Sequence, residues 1–415
     1  MAQEKRIKIL YFGTYSAGEE YARNLALING LKEVGAEVEE CHTELWPGFQ
    51  DKMTAVQRGL PANVFALVKA YFRLINQYRK AGEFDFMFVG YLGQLDVFLA
   101  RLLKIVHHQP VIFDAFYSLY DTMVKDRGLY PEGSLRARIL RRLDQLSVKC
   151  SDLTLLDTNE HIKYFCREFG LKPERFLAIP LGVDQANFYP RPEPEADVGA
   201  HPSVRPSEGR HLGLPGQAEG RHLGLPGQEE VFEVLNYSSY IPLHGLEVIL
   251  QAAEALRDES GIRFTLIGRG QLFPEIKAQA EKLGLKKVQF LQWLNHQELV
   301  QKAAAADLLL GIFGITEKAG RVIPYKAYEA LALARPLITG DSPAARELLK
   351  DGKHCLLSPM GDGPALAKRI LRLRNDPELR RNLAQAGHQL FLEKCSWDKI
   401  GAGILEKLKE EFYQD

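Results

Sequence analysis

Short apolar runs return along this chain at near-regular intervals, separated by amphipathic helical patterns. In the first 160 residues they are RIKILYFG, AEVEEC, FDFMFVG, PVIFD and LTLLD, with EEYARNLALINGLKEVG and QLDVFLARLLKIV among the segments between them. Strands that are apolar on both faces must be covered on both faces. Where they alternate with helices, the result is a parallel sheet sandwiched by those helices. The rhythm restarts with VFEVLNY, RFTLIG, KVQFLQ, DLLLGIF, PLITG and HCLLSP. The pattern predicts an α/β chain of two Rossmann-like, doubly wound parallel-sheet domains.

The two series are separated by residues 190–230, a stretch rich in proline, glycine and charge in which EGRHLGLPGQ occurs twice in succession. A unit this short, present twice, builds no solenoid core. The expectation is a mobile insertion or linker, with an anion-binding arginine–histidine loop as the sharper alternative. The expected organisation is a first domain over 1–189, the insertion over 190–230 and a second domain over 231–395. A last helix over 396–415, opening near Ser396, has no further strand to cover and should pack across to the first domain.

Lysine plus arginine equals aspartate plus glutamate, 53 against 53, so the charge balance gives no reason to expect a nucleic-acid partner. No apolar run reaches the roughly 18 residues of a membrane span. The start, MAQEKRIKILYFG, lacks a signal-peptide layout. Cys41, Cys150, Cys166, Cys355 and Cys395 are scattered and form no C-x-x-C pair, which suits reduced thiols in a cytoplasmic protein.

Ligands of open parallel sheets sit beyond the carboxyl ends of the strands. The first strand ends in a small-residue loop with Gly13 and Gly18, and RFTLI ends in Gly268-Arg269-Gly270. Neither completes G-x-G-x-x-G, so a nicotinamide cofactor is not expected. No Asp-x-Asp and no helical histidine pair offers a metal site, and no G-x-S-x-G marks a hydrolase. The loop after DLLLGIF carries Glu317, Lys318 and Arg321, and leads through Pro324 into a helix with Lys326 and Glu329 three residues apart on one face. A helix N-terminus beside cations is a place for phosphate. A carboxylate one turn further in suits a vicinal diol, and phosphate beside diol is the tail of a nucleotide. The alternative is a surface ion pair, against which stand the apolar neighbours Ala327, Ala330, Leu331 and Leu333.

Pro-x-Lys-x-x-Glu-Ala followed by Arg-Pro-Leu-Ile resembles the donor-site helix of family 4 retaining glycosyltransferases. IPLGVDQANFYP, YIPLHGLEVILQAAEAL, FTLIGRGQ, ITGDSPAARELLKDGKHCLLSP and FLEKCSWDKI extend the likeness over most of the chain outside the insertion. The resemblance implies the GT-B architecture, two Rossmann-like domains facing a cleft. It also implies a nucleoside diphosphate sugar as donor substrate, held mainly by the second domain, with no separate cofactor or metal. By position, Glu329 would bind the ribose hydroxyls and Lys326 would lie near the phosphates. The loop Gly268, Arg269, Gly270 would approach the nucleotide, and the backbone near Trp293 and Leu294 would flank the base; Gly13, in the anion-accommodating turn after the first strand, is a further candidate for donor binding. Two positions depart from the family. Arg321 stands where many members have a sugar-binding glutamate, and Ser239 and His244 stand where many have an arginine and a lysine for the diphosphate. Arg321, Lys326 and Arg269 are then the candidate neutralisers, and Glu317 is a candidate sugar contact. Asp114 follows the PVIF strand, with Phe116 where many members have a histidine. Arg321, Lys326, Glu317 and Asp114 are thus the residues expected at the reacting centre.

The implied activity is transfer of a sugar to a glycan or lipid-linked acceptor. The alternatives are a sugar-nucleotide-binding protein without turnover and a GT-B epimerase. The basic segments 62–80 and 135–149 suit peripheral contact with an anionic membrane, at the inner face, as well as they suit ordinary packed helices.

Overall fold

Along β1 (Lys8–Gly13) alternate side chains enter two different cores. Ile9 and Tyr11 join Phe86, Phe88, Ile112 and Leu155 on one face of a sheet, while Leu10 and Phe12 join Met87, Val89, Val111 and Phe113 on the other. This period-2 division, apolar both ways, is what a strand buried between two helical layers requires. The computed structural model describes residues 6–15, 22–45, 60–191 and 231–413. Gly18 and the repeat-containing segment 192–230 lie outside the described residues.

The first sheet adds β2 (Glu37–His42), β3 (Phe86–Val89), β4 (Val111–Phe116), β5 (Leu153–Leu156) and β6 (Phe176–Ala178). All pairings are parallel, in the order β2-β1-β3-β4-β5-β6. The three-residue β6 is too short for periodicity to reveal. Helix α1 (Ala22–Glu33) covers one face. Helices α2 (Leu60–Tyr78), α3 (Asp96–His107), α4 (Leu135–Cys150) and α5 (Asn159–Phe169) cover the other.

The second sheet has the order β12-β11-β10-β7-β8-β9. Its strands are β7 (Phe232–Ser239), β8 (Ile262–Arg269), β9 (Val288–Leu291), β10 (Leu308–Leu310), β11 (Leu337–Gly340) and β12 (Leu356–Ser358). Helices α6 (Leu246–Ala255) and α7 (Phe273–Lys282) pack on one face. On the other lie α8 (His296–Ala305), opened by an Asn295–Glu298 capping box, and α9 (Tyr325–Ala332). The short α10 (Pro343–Leu348), then α11 (Gly363–Asn375) and α12 (Pro377–Lys394), complete the layers. These two six-stranded parallel sheets with flanking helices make the expected two-domain α/β architecture.

Helix α13 (Trp397–Phe412) leaves the second domain and lies against α1, its Ile400, Ile404 and Leu408 entering the first domain's core. Ser396 stands at its N-cap, but the hydroxyl bonds Leu392 O (3.1 Å) and Asp398 (2.5 Å) rather than the first-turn amides. The crossing is close. A Cβ on Gly401 would lie 2.0 Å from Gly30 O, whereas one on Gly403 would meet nothing within 4 Å. Gly401→Ala should therefore cost about 1–3 kcal/mol by overpacking, while Gly403→Ala should gain up to about 1 kcal/mol of helix propensity. Thermal unfolding of the two variants checks this, and equal melting temperatures would refute the glycine-dependent crossing.

Candidate active site

Beyond the carboxyl ends of both sheets lies a cavity of about 320 Å³, within the range of small-molecule sites. The second domain contributes Tyr237, Ser238 and Ser239 from the end of β7, His244 from the following turn, Trp293 and His296 near α8, and Pro324, Tyr325, Lys326 and Glu329 from α9. The first domain faces them with Ala22 and Leu25 of α1 and the stretch containing Val183, Asp184 and Phe188. Trp397 of the returning helix closes the wall.

Pro324 is the N-cap of α9 rather than its first helical residue, and no side chain caps the helix. A first turn without a side-chain cap therefore borders the cavity, with the positive end of the helix toward it. Lys326 is 4% exposed and its Nζ lies 3.2 Å from His244 Nδ1. The turn that places His244 rests on Gly245, with φ 64°, where a Cβ would lie 2.3 Å from Gly314 N. One turn along α9, Glu329 accepts a 2.5 Å hydrogen bond from the Tyr237 hydroxyl. Lys326 and Glu329 form no ion pair with each other among the described residues, so the simple ion-pair reading of their spacing fails.

Burial controls the protonation of all three groups. It depresses the Lys326 ammonium to about 7, against the pull of Glu329. It raises the Glu329 carboxyl to about 7, against the Tyr237 hydrogen bond and Lys326. Burial, helped by Lys326, holds His244 well below the usual histidine range, so its ring is neutral. With Lys326 donating to Nδ1, the histidine proton is assigned to Nε2. The site thus offers a tunable cation, a neutral N–H donor, a helix N-terminus and a carboxylate in one strip. Tyr325 Oη, His296 Nε2 and Trp397 Nε1, all on lining residues, are buried without a hydrogen-bond partner. Unmatched polar atoms around a cavity are what a polar ligand would satisfy.

Lys326, Glu329, Ser239, His244 and Trp293 are brought together; the other expected residues are not. Arg321 is no free phosphate ligand. Its Nη2 bonds the buried Asp121 at 2.6 Å and its Nη1 bonds Glu317 at 3.1 Å, with the guanidinium stacked on Tyr164. Glu317 is a solvent-facing carboxylate held by that arginine, away from the cavity. Asp114 cannot act as a base in the cleft: it is fully buried, and Arg23 occupies both its oxygens at 3.0 and 3.1 Å. Gly268 and Gly270 serve backbone packing, since Cβ atoms there would lie 2.0 Å from Ser238 O and 2.6 Å from Tyr240 N. Arg269 and Leu294 do not line the cavity, and Gly13 packs against Asp96. Sequence reasoning missed Tyr237, Tyr325, His296 and Trp397. Tyr237 was legible in principle, as an inward position at the carboxyl end of its strand.

The shifted pair predicts a pH signature. The Glu329 contribution to stability is present below the unfolded value of 4.5 and is lost as pH rises through about 7. The Lys326 contribution is present above 10.5 and is lost as pH falls through about 7. Both therefore give a stability minimum near neutrality. Glu329→Gln should be about 1–3 kcal/mol more favourable, relative to the parent, at pH 7 than at pH 5. Urea unfolding at the two pH values measures this. A conventional ion pair would give the opposite sign.

Comparison with known proteins agrees with the two-domain α/β architecture. Residues 224–390 match the family model of glycosyl transferases group 1. An uncharacterized glycosyltransferase of Methanocaldococcus jannaschii is 27% identical over 173 residues, 42% of this chain and 46% of that protein. The phosphatidyl-myo-inositol mannosyltransferase of Mycobacterium leprae is 26% identical over 168 residues, 40% of this chain and 42% of its own length. The matched stretch thus spans less than half the length of these relatives. Over the whole fold, Anabaena HepE in complex with UDP-glucose superposes with a TM-score of 0.64 at 16% identity, covering 98% of this chain and all of that one. Sucrose-phosphate synthase of Thermosynechococcus elongatus gives 0.67 at 16% identity with the same coverage. The chain has the GT-B fold, and its residues 224–390 are similar to the glycosyl transferases group 1 family.

Proposed function

We propose that this chain is a glycosyltransferase that moves a sugar from a nucleoside diphosphate sugar to an acceptor with retention of configuration. The observation that carries the reading is the buried, uncompensated Lys326–Glu329 strip at an N-terminus without a side-chain cap, open to a cavity. Phosphate would face Lys326, His244 Nε2–H and the first amides of α9. Glu329, its other oxygen steadied by Tyr237, would accept from the ribose hydroxyls. HepE was crystallised with UDP and UDP-glucose, which makes uridine nucleotides the first donors to try.

Among the described residues, the carboxylates lining the cavity are Asp184 and Glu329. Asp184 is engaged within its own turn by Ala186 N and Asn187 Nδ2, and Glu329 is assigned to the ribose. With no carboxylate left among the described lining residues to act as nucleophile, attack on the same face as departure fits best, the leaving diphosphate taking up the acceptor proton. Charge growing on that diphosphate is met by Lys326 and the helix end, so turnover should survive a chelator. The acceptor would enter from the first-domain side, as a glycan or lipid-linked glycan at the cytoplasmic face of a membrane.

A binding protein without turnover is the second reading, favoured by the neutral Ser239 and His244 where cations are the family habit. Calorimetric titration of UDP and of other nucleoside diphosphates, beside donor-consumption assays, separates the two. Glu329→Gln removes charge-assisted hydrogen bonds of about 1.5–3 kcal/mol, an affinity loss of about 10- to 150-fold. Lys326→Met should reduce turnover more than binding, since it opposes charge that grows in the transition state. Binding with no release of nucleotide from any sugar donor would favour the second reading. Unchanged affinity in Glu329→Gln would remove the donor assignment altogether.

A further inference from the structure

Helices α2, α3 and α4 lie side by side on the outer face of the first sheet. Tyr78 of α2 meets His107 of α3 edge-on at 5.0 Å, and Ser147 of α4 donates to Gln94 O just before α3 at 2.8 Å. Each buries one stripe in the core below, as Leu74, Ala100 and Val148 do. Their outer sides are also apolar: Phe65, Phe72, Leu102, Ile105, Val106 and Leu135 are 61% to 72% exposed. A surface helix is ordinarily polar on the side away from the core, and three adjacent ones that are not form a patch that calls for cover.

The charges on these helices are sorted as well. Their two carboxylates, Asp96 and Asp144, are buried and turned inward, Asp96 accepting from Thr14 and Asp144 from Ser118 and two backbone amides. Every other charged group on them is a cation, nine lysines and arginines in all. Arg101 and Lys104 are paired with Asp152, and Arg141 with Glu168. Lys69, Arg73, Arg136, Arg138, Arg142 and Lys149 have no ion pair among the described residues. In a chain whose charges balance at 53 against 53, this face is cationic by arrangement.

We infer that this face docks on a bilayer containing anionic phospholipid, the helices lying in its plane. Large aliphatic and aromatic side chains interleaved with cations over three parallel helices match the acyl–headgroup boundary. Aliphatic side chains outnumber the two exposed phenylalanines, Phe65 and Phe72, which suits acyl chains better than a run of stacked bases. The helices' N-termini, with the exposed Leu95 and Leu135, lie at the carboxyl edge of the sheet, the edge that opens to the cleft. A bilayer-held acceptor would reach the cavity at that rim. The inference does not rest on the donor reading, because docking needs no nucleotide.

The test is co-sedimentation of the full chain with phosphatidylcholine vesicles with and without phosphatidylglycerol, across a salt series. Binding is expected to the anionic vesicles only, and to fall with salt. Arg138→Gln with Lys149→Gln should weaken it about 30-fold, about fivefold per cation. Phe65→Ser with Ile105→Ser should weaken it while leaving the salt dependence in place. All four positions are exposed, so thermal melts and nucleotide titration should match the parent. No binding to either vesicle, or equal binding to both, would overturn the inference. So would a concentration-dependent dimer, abolished by Phe65→Ser with Ile105→Ser, in a chain that ignores vesicles, since the face would then belong to a second copy.

Discussion

Removing a lysine and a glutamate from water without joining them to each other is the costly feature around which this cleft is organised. An isolated buried charge is strongly disfavoured and tends to neutralise instead, and both groups here are driven toward neutrality near pH 7. The protein partners each one partly: Lys326 has the lone pair of a neutral histidine, and Glu329 has a tyrosine hydroxyl. Neither partner carries a compensating charge. A fold selected for stability alone would put apolar residues on α9, as it does at Ala327, Ala330 and Leu331. The arrangement makes physical sense when an anionic, hydroxyl-bearing ligand completes it.

The cleft holds its shape through a second set of contacts, clustered on the loop after β10. Thr316, Lys318 and Arg321 reach across to Asp126, Thr122 and Asp121, residues of one π-helical turn in the first domain. Thr158 donates to Arg321 O at 2.5 Å, and Glu347 accepts from Asn159 and Glu160. Together with the glycine-mediated seating of α13 on α1, these contacts set the spacing of the two cavity walls. Arg321, at the position where the family that the sequence resembles often has a glutamate, is a strut between the domains. Its neighbour Tyr164 and its partner Asp121 are both buried, so breaking the pair would leave a charge stranded in the interface.

The two-domain fold was legible because apolar runs of strand length alternate with helical patterns throughout, and that signal survives ignorance of every tertiary contact. Lys326 and Glu329 were legible for a related reason: two charges on a helix of alanines and leucines contradict their surroundings. The pairings of Asp114 with Arg23 and of Arg321 with Asp121 were not. These partners lie 91 and 200 positions apart in the chain, and no local pattern announces that a carboxylate at a strand end is already neutralised. Gly268 and Gly270 misled in the other direction. A glycine needed for strand-to-loop contact reads the same in sequence as one cleared for a phosphate.

Proton linkage tests the central claim most directly. If Lys326 is largely neutral in the free protein at about pH 8 and a diphosphate settles beside it, the phosphate charge must raise its pKa and draw in a proton. Titration of UDP by calorimetry in two buffers of different ionisation enthalpy reads that uptake. The account predicts close to one proton taken up per nucleotide by the parent protein and close to none by Lys326→Met. Nucleotide binding with the same buffer-independent enthalpy in both proteins would contradict it.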